Sequence, residues 1–237
     1  MNTEYHKWFS PHLHRDMELL VFGQGGVPVI VFPTSYARFG EWQDNRMIEW
    51  LTDKIDAQHI QIFCPDSIGA ESWYNRQAHP HDRAVRHNQW EYYLMHELYP
   101  FIRYRNGNHF TVVAGASFGA YLAMNFALKH PHYVNKVIAL SGGYGMVGNT
   151  NGGGMEVYFN APLAYVPNLH NHDDLERIRQ IDFKLVTSDW DIDVCRRTTL
   201  ELSQKLWDKN IWHQCDVWGN HTGHDWPFWR EMIRVYL

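Results

Sequence analysis

Between the apolar run 110–113 and the stretch 120–129 lies Gly115-Ala116-Ser117-Phe118-Gly119, a Gly-x-Ser-x-Gly pentapeptide. Apolar run, glycine-flanked serine and helix-forming stretch, in that order, predict a strand that turns sharply into a helix with the serine at its apex, a nucleophile elbow. The turn strains the serine's backbone and brings helix onto strand, so side chains at Gly115 and Gly119 would collide. The helix behind the serine points its positive dipole end at the place where an oxyanion would develop. A plain strand-loop-helix turn can carry the same five residues, so the rest of the chain has to decide between them.

Two later segments fill the roles such a serine needs, in the order of α/β-hydrolases: serine, then an acid after a late strand, then a histidine near the C-terminus. Residues 183–187 (FKLVT) read as a strand and run into Ser188-Asp189-Trp190-Asp191-Ile192-Asp193. Residues 212–218, with His213, Cys215 and Val217 alternating, read as the last strand and lead into Gly219-Asn220-His221-Thr222-Gly223-His224-Asp225-Trp226.

At 237 residues, 45% hydrophobic and 15% aromatic, the chain can bury one large core, and a single α/β catalytic domain over 1–237 is expected. A net charge of −5 offers no basic footprint for nucleic acid and no polybasic membrane anchor. Residues 1–7 lack the apolar core of a leader, and no stretch approaches the ~20 apolar residues of a membrane span. Cys64, Cys195 and Cys215 cannot all pair with one another and none sits in a Cys-x-x-Cys, so reduced thiols and a cytoplasmic location are expected. Assembly into a homo-oligomer stays open.

Alternating strands and helices predict a mostly parallel sheet covered on both faces. Residues 17–22 and 27–32 read as neighbouring antiparallel strands joined through Gly23-Gln24-Gly25-Gly26. A first helix is expected over 46–55, a strand over 60–64 and a long helix over 87–104. After the elbow come a strand over 137–140, the acid strand, a helix over 198–209, the last strand and a closing helix from Trp226. Two irregular segments, 66–83 and 142–169, read as substrate walls, since long loops in compact domains often bind ligands. The histidine pairs His79 and His81, His130 and His132, and His170 and His172 raise metal binding, but they lie in different loops without metal-site spacing, and no metal is expected.

From Tyr5-His6-Lys7-Trp8 to Leu237 the chain resembles the Putative esterase family of α/β-hydrolases, the group of esterase D, the acetylxylan and feruloyl esterases and the mycolyltransferases. Within it the similarity is to a branch of short cytoplasmic bacterial esterases. The matching passages are 28–35 (PVIVFPTS), 72–75 (SWYN), 115–125 (GASFGAYLAMN), 157–162 (VYFNAP) and 223–230 (GHDWPFWR). The resemblance implies hydrolysis of a small-molecule ester by a Ser-His-Asp triad through an acyl-enzyme, with no cofactor. Acyl transfer or thioester cleavage on the same triad, and a non-catalytic module on the same fold, are the alternatives.

Ser117, the centre of the pentapeptide, takes the nucleophile's role, and a weakly nucleophilic hydroxyl needs an adjacent base. The resemblance gives that role to His224 in Gly-His-Asp-Trp and leaves His221, the rival three residues earlier, in a variable approach. For the acid, counting from the strand end gives Asp191, with Ser188 where the family usually has glycine. Counting back from the following helix gives Asp193. The segment carries two extra residues, and both aspartates stay open. The oxyanion hole draws one amide from Phe118 and a second from the loop after residues 29–32, where Pro33-Thr34-Ser35-Tyr36 replaces the family's His-Gly, from either Ser35 or Tyr36. Trp73, Tyr74 and Trp226 are expected as pocket walls, and Trp50, Trp90 and Trp207 as core packing.

Overall fold

The computed structural model describes residues 1–145, 147 and 152–237. Eight strands form one sheet: β1 (Thr3–Ser10), β2 (Arg15–Phe22), β3 (Val27–Phe32), β4 (Ile60–Pro65), β5 (Val112–Ala116), β6 (Lys136–Leu140), β7 (Asp182–Trp190) and β8 (His213–Gly223). Their order is β1-β2-β4-β3-β5-β6-β7-β8. The pairs β1/β2 and β2/β4 are antiparallel, and every later pairing is parallel.

The central strands are apolar on both faces because both are covered. Alternation along β3 sends Ile30 and Phe32 into one core and Val29 and Val31 into the other. On the first face lie the helices Pro80–Tyr93 and Phe118–Lys129. On the second lies the closing helix Trp226–Tyr236, through Trp229, Met232 and Ile233. Phe118 to Leu128 of the elbow helix are buried at every position, as its sequence FGAYLAMNFAL predicts for a helix wedged between layers.

The hairpin expected between residues 17–22 and 27–32 does not form, because β4 lies between them, antiparallel to β2 and parallel to β3. The glycines serve a different purpose. A Cβ on Gly26, at φ +92°, would lie 2.4 Å from Gln58 O, and Val27 N–H donates to His59 O at 2.8 Å. They let the chain pass close to the start of β4, where hairpin closure would need it to turn back on β2.

The helix expected over 46–55 is two short ones, Met47–Trp50 and Thr52–Asp56, preceded by a third, Glu41–Asp44, from which Arg46 at φ +63° separates them. The helix expected over 87–104 starts earlier, at Pro80, where His79 caps it. It then passes through a π turn, Leu94–Leu98, into Tyr99–Arg105. Pro100 lacks the N–H that a regular turn would need, and the wider turn just before it absorbs the mismatch. Trp90 is core, but Trp50 and Trp207 are exposed, at 36% and 46%. Trp207 packs on His213 instead, with ring centroids 4.6 Å apart.

Candidate active site

Ser117 joins β5 to the elbow helix at φ +54°, ψ −117°, a region L-residues rarely occupy. Its N–H donates to Leu140 O at 2.8 Å, which fixes the turn against β6. A Cβ on Gly115 would lie 2.3 Å from the carbonyl carbon of Gly119, and one on Gly119 would lie 2.3 Å from Phe32 O. Both glycines are therefore demanded by backbone contact.

The C-terminal ends of β7 and β8 bring the other groups to the serine. His224 Nε2 lies 3.0 Å from Ser117 Oγ, and its Nδ1 lies 2.6 Å from Asp191 Oδ1. Beside an ionised carboxylate Nδ1 carries the proton and donates, leaving Nε2 to accept from the serine hydroxyl. The Asp191 carboxylate is fully buried. Burial pushes its pKa up, but hydrogen bonds from His224, Thr187 and Ser141 outweigh that and hold it below the ordinary aspartate value. Thr187 Oγ1 donates to Oδ2 at 2.7 Å and Ile192 N–H to Oδ1 at 2.8 Å.

Asp193 is not brought to the histidine. It opens the helix Asp193–Asp208 with its side chain exposed. β7 continues past residue 187 to Trp190, and a bulge between Ser188 and Trp190 takes up extra chain before Asp191. His221 also lies apart: its exposed ring packs on Trp190 at 4.1 Å and its N–H donates to Asp189 Oδ2 at 3.3 Å.

Phe118 begins the elbow helix, so its N–H has no intrahelical partner and is free to face an oxyanion. On the facing loop Thr34 N–H is committed to Glu41 Oε2 at 2.7 Å, which leaves the amides of Ser35 and Tyr36. Tyr36 sits at φ +60°, its ring 4.3 Å from that of Tyr74. Tyr74 bridges this loop to the elbow: its hydroxyl bonds to Ser35 Oγ, and its ring meets Phe118 edge-on at 5.0 Å. Trp73 turns into the core instead, 5.4 Å from His87. Trp226 stands one ring removed from the histidine, edge-on to Trp229 at 5.1 Å. The expected wall 142–169 includes residues 146 and 148–151, outside the described residues; the remainder carries the short helices Gly154–Tyr158 and Pro162–Tyr165.

A second serine–histidine contact shows what distinguishes the first. Ser203 Oγ lies 2.7 Å from His213 Nε2, closer than the pair above, but His213 Nδ1 donates to Ile211 O at 2.9 Å. With no carboxylate behind the ring, both residues buried and no elbow, that pair is a satisfied core contact. Among the described residues the compact set able to hold a metal is Asp191, Cys195 and His224, and none of the three loop histidine pairs contributes to one.

The model of the family described as Putative esterase matches residues 10–235. The chain belongs to this family. It is a carboxylic ester hydrolase of α/β-hydrolase fold. Among curated proteins no sequence matches this esterase. Solved structures share its fold. A ferulic acid esterase superposes with a TM-score of 0.78 at 17% identity, covering 100% of this chain and 96% of its own. An S-formylglutathione hydrolase from Agrobacterium tumefaciens gives 0.75 at 13%, covering 99% and 92%. One from Staphylococcus aureus gives 0.71 at 15%, covering 99% and 96%. No helix among the described residues is long and apolar enough to cross a membrane.

Three residues around the site escape a reading of the sequence alone. Trp229 meets the His224 ring edge-on at 4.9 Å and donates from Nε1 to Ser141 Oγ at 3.0 Å. Ser141, at φ +56°, helps to lower the Asp191 pKa in turn, and Thr187 holds the carboxylate's Oδ2. The signal available for Trp229 was its place five residues after His224 at the start of the closing helix. Ser141 and Thr187 each end an apolar strand pattern and carry no motif of their own.

Proposed function

We propose that this esterase cleaves a small carboxylic ester through an acyl-enzyme on Ser117, with His224 as base and Asp191 as the acid that orients it. The observation that carries the reading is the unbroken chain of contacts from Ser117 Oγ to His224 Nε2 at 3.0 Å and from His224 Nδ1 to Asp191 Oδ1 at 2.6 Å. His224 takes the serine's proton as Oγ attacks the ester carbonyl and returns it to the leaving alkoxide. The tetrahedral oxyanion is held by the Phe118 N–H and an amide of Ser35 or Tyr36, each such donor being worth on the order of 3 kcal/mol. Asp191, kept ionised by its hydrogen bonds, stabilises the imidazolium, and water activated by the same histidine releases the acid. Every group in this scheme comes from the chain 1–237, acting as one catalytic domain in the cytoplasm without a cofactor.

Tyr74 and Trp226, flanking the serine and the histidine, form the walls available to an acyl or aryl group. The structural neighbours are named for a feruloyl ester and a thioester, so both leaving-group classes belong in the test. Purified protein is assayed on a panel varying acyl length and leaving group, beside Ser117→Ala. Hydrolysis of at least one panel member, lost in the variant along with labelling by a serine-directed phosphonate, is the expected result. A Ser117→Ala protein with native turnover would refute the reading.

A further inference from the structure

Cys195 has no part in the reaction proposed above, yet its sulfur lies within 4.8 Å of ligand atoms of Asp191 and His224, the two residues proposed to support the nucleophile. We infer that Asp191, Cys195 and His224 form a binding site for a thiophilic divalent cation, cadmium or zinc, and that its occupation switches the esterase off. The inhibitory consequence rests on the roles proposed for Ser117, His224 and Asp191; the binding itself does not.

The ligand atoms of the three residues lie within 4.8 Å of one another. Metal–sulfur and metal–nitrogen bonds of about 2.3 and 2.0 Å put tetrahedral ligands about 3.5 Å apart, so the widest pair closes around an ion by approaching about 1.3 Å, shared between two side chains. The local fold sets this up. Asp191 ends the strand region, the chain turns into the helix Asp193–Asp208, and Cys195 N–H donates to Ile192 O at 2.8 Å, which holds the cysteine one turn into that helix. Cys195 is 4% exposed, and the Asp191 and His224 side chains 0% and 13%. A buried cysteine is often only a small apolar filler. This one instead shares its surroundings with a carboxylate and an imidazole, the ligand atoms of Asp191 and His224 lying within 4.8 Å of its sulfur.

One sulfur, one imidazole and one carboxylate make a donor set for zinc or cadmium, while magnesium and calcium prefer oxygen alone. On binding, the Cys195 S–H bond breaks, a metal–thiolate bond forms and the proton leaves to solvent, with no change in oxidation state. The imidazole then loses its use to the serine whichever nitrogen ligates. If Nε2 binds, its lone pair is occupied; if Nδ1 binds, the ring's proton resides on Nε2. Either way Ser117 Oγ has no acceptor for its proton.

The test titrates cadmium chloride into purified Ser117→Ala protein, following thiolate-to-cadmium charge-transfer absorption and the heat of binding. One ion per chain is expected, with the absorption lost in Ser117→Ala/Cys195→Ala and affinity weakened about tenfold or more in Ser117→Ala/Cys195→Ser. In protein with Ser117 intact, cadmium and zinc should inhibit hydrolysis, each rate being referred to that variant's own metal-free rate. Cys195→Ala should raise the half-inhibiting concentration about tenfold or more, and magnesium should not inhibit. No absorption, absorption that survives Cys195→Ala, or equal inhibition of the Cys195→Ala enzyme would overturn the site. If Cys195→Ala does not fold by circular dichroism, Asp191→Asn takes its place and must weaken binding as much. Cysteine-dependent binding in a native protein that cleaves no ester or thioester on the panel would sustain the site and overturn the proposed reaction.

Discussion

Holding Ser117 at φ +54° costs on the order of 1–3 kcal/mol, and the surroundings over-determine it: two glycines pressed on backbone and an N–H tied to Leu140. The proposed reaction needs a base beside that serine, and the His224 ring, backed by Asp191, lies within hydrogen-bond distance of it. Neutralising Asp191 in Asp191→Asn should therefore lower turnover by up to ~10⁴-fold, whereas Asp193→Asn, at an exposed position, should stay within a few-fold in the same assay. If the proposed triad operates, His224→Ala should lose about as much activity as Ser117→Ala, since triad members act as a unit, and His221→Ala far less. The depressed pKa of Asp191 also fixes a pH dependence. A carboxylate whose folded pKa is lowered contributes stability that is fully present above its unfolded value, near 3.9, and is lost as pH falls through the lower folded value. The melting temperature of native protein should thus exceed that of Asp191→Asn at neutral pH, with the gap closing below about pH 4. Ser117 was legible from five residues because the elbow is a local backbone demand. Which of Asp191 and Asp193 meets His224 was not legible, because the bulge at Ser188/Trp190 depends on the pairing of β7 with β8, a contact between segments some 30 residues apart.

At the level of elements, what the sequence makes plain is what the backbone or a two-sided core dictates locally. The buried strands β3 to β7 and the closing helix announce themselves as apolar runs and as a Pro at the first turn after Asp225. The pairing of β2 with β4 is not local: four residues with three glycines look like a hairpin, and only the close passage of Gly26 over Gln58 and His59 tells otherwise. The same contact logic yields a prediction at the elbow. In Gly119→Ala the new methyl would lie 2.3 Å from Phe32 O, where neither strand nor helix can give way. Stability should fall by more than about 3 kcal/mol in denaturant unfolding, beyond the usual range for a single substitution, and ester hydrolysis should go with it. Gly107→Ala, with nothing within 4 Å of the new methyl, should stay within about 0.5 kcal/mol.

On the scale of the whole molecule, one sheet separates two apolar cores that share every central strand. Phe32, Val113 and Phe183 face one, and Val31, Val112 and Val186 the other. Neither layer can keep its packing if the sheet between them opens, since each strand gives alternate side chains to both. If residues 1–237 act as a single domain, the layers unfold together, and the tryptophans are placed to report it. Trp8, Trp73 and Trp90 belong to the first core, while Trp42, Trp218, Trp226 and Trp229 belong to the second. Tryptophan fluorescence and far-ultraviolet circular dichroism, followed through the same urea titration, should give coincident transitions with one midpoint. The closing helix makes the comparison discriminating, because Trp226 and Trp229 sit on it beside His224, so its early detachment would change the fluorescence and abolish hydrolysis while most of the sheet's circular dichroism survived. Two separated midpoints of that kind would overturn the single cooperative domain and make the C-terminal layer, with the histidine it carries, a unit of its own.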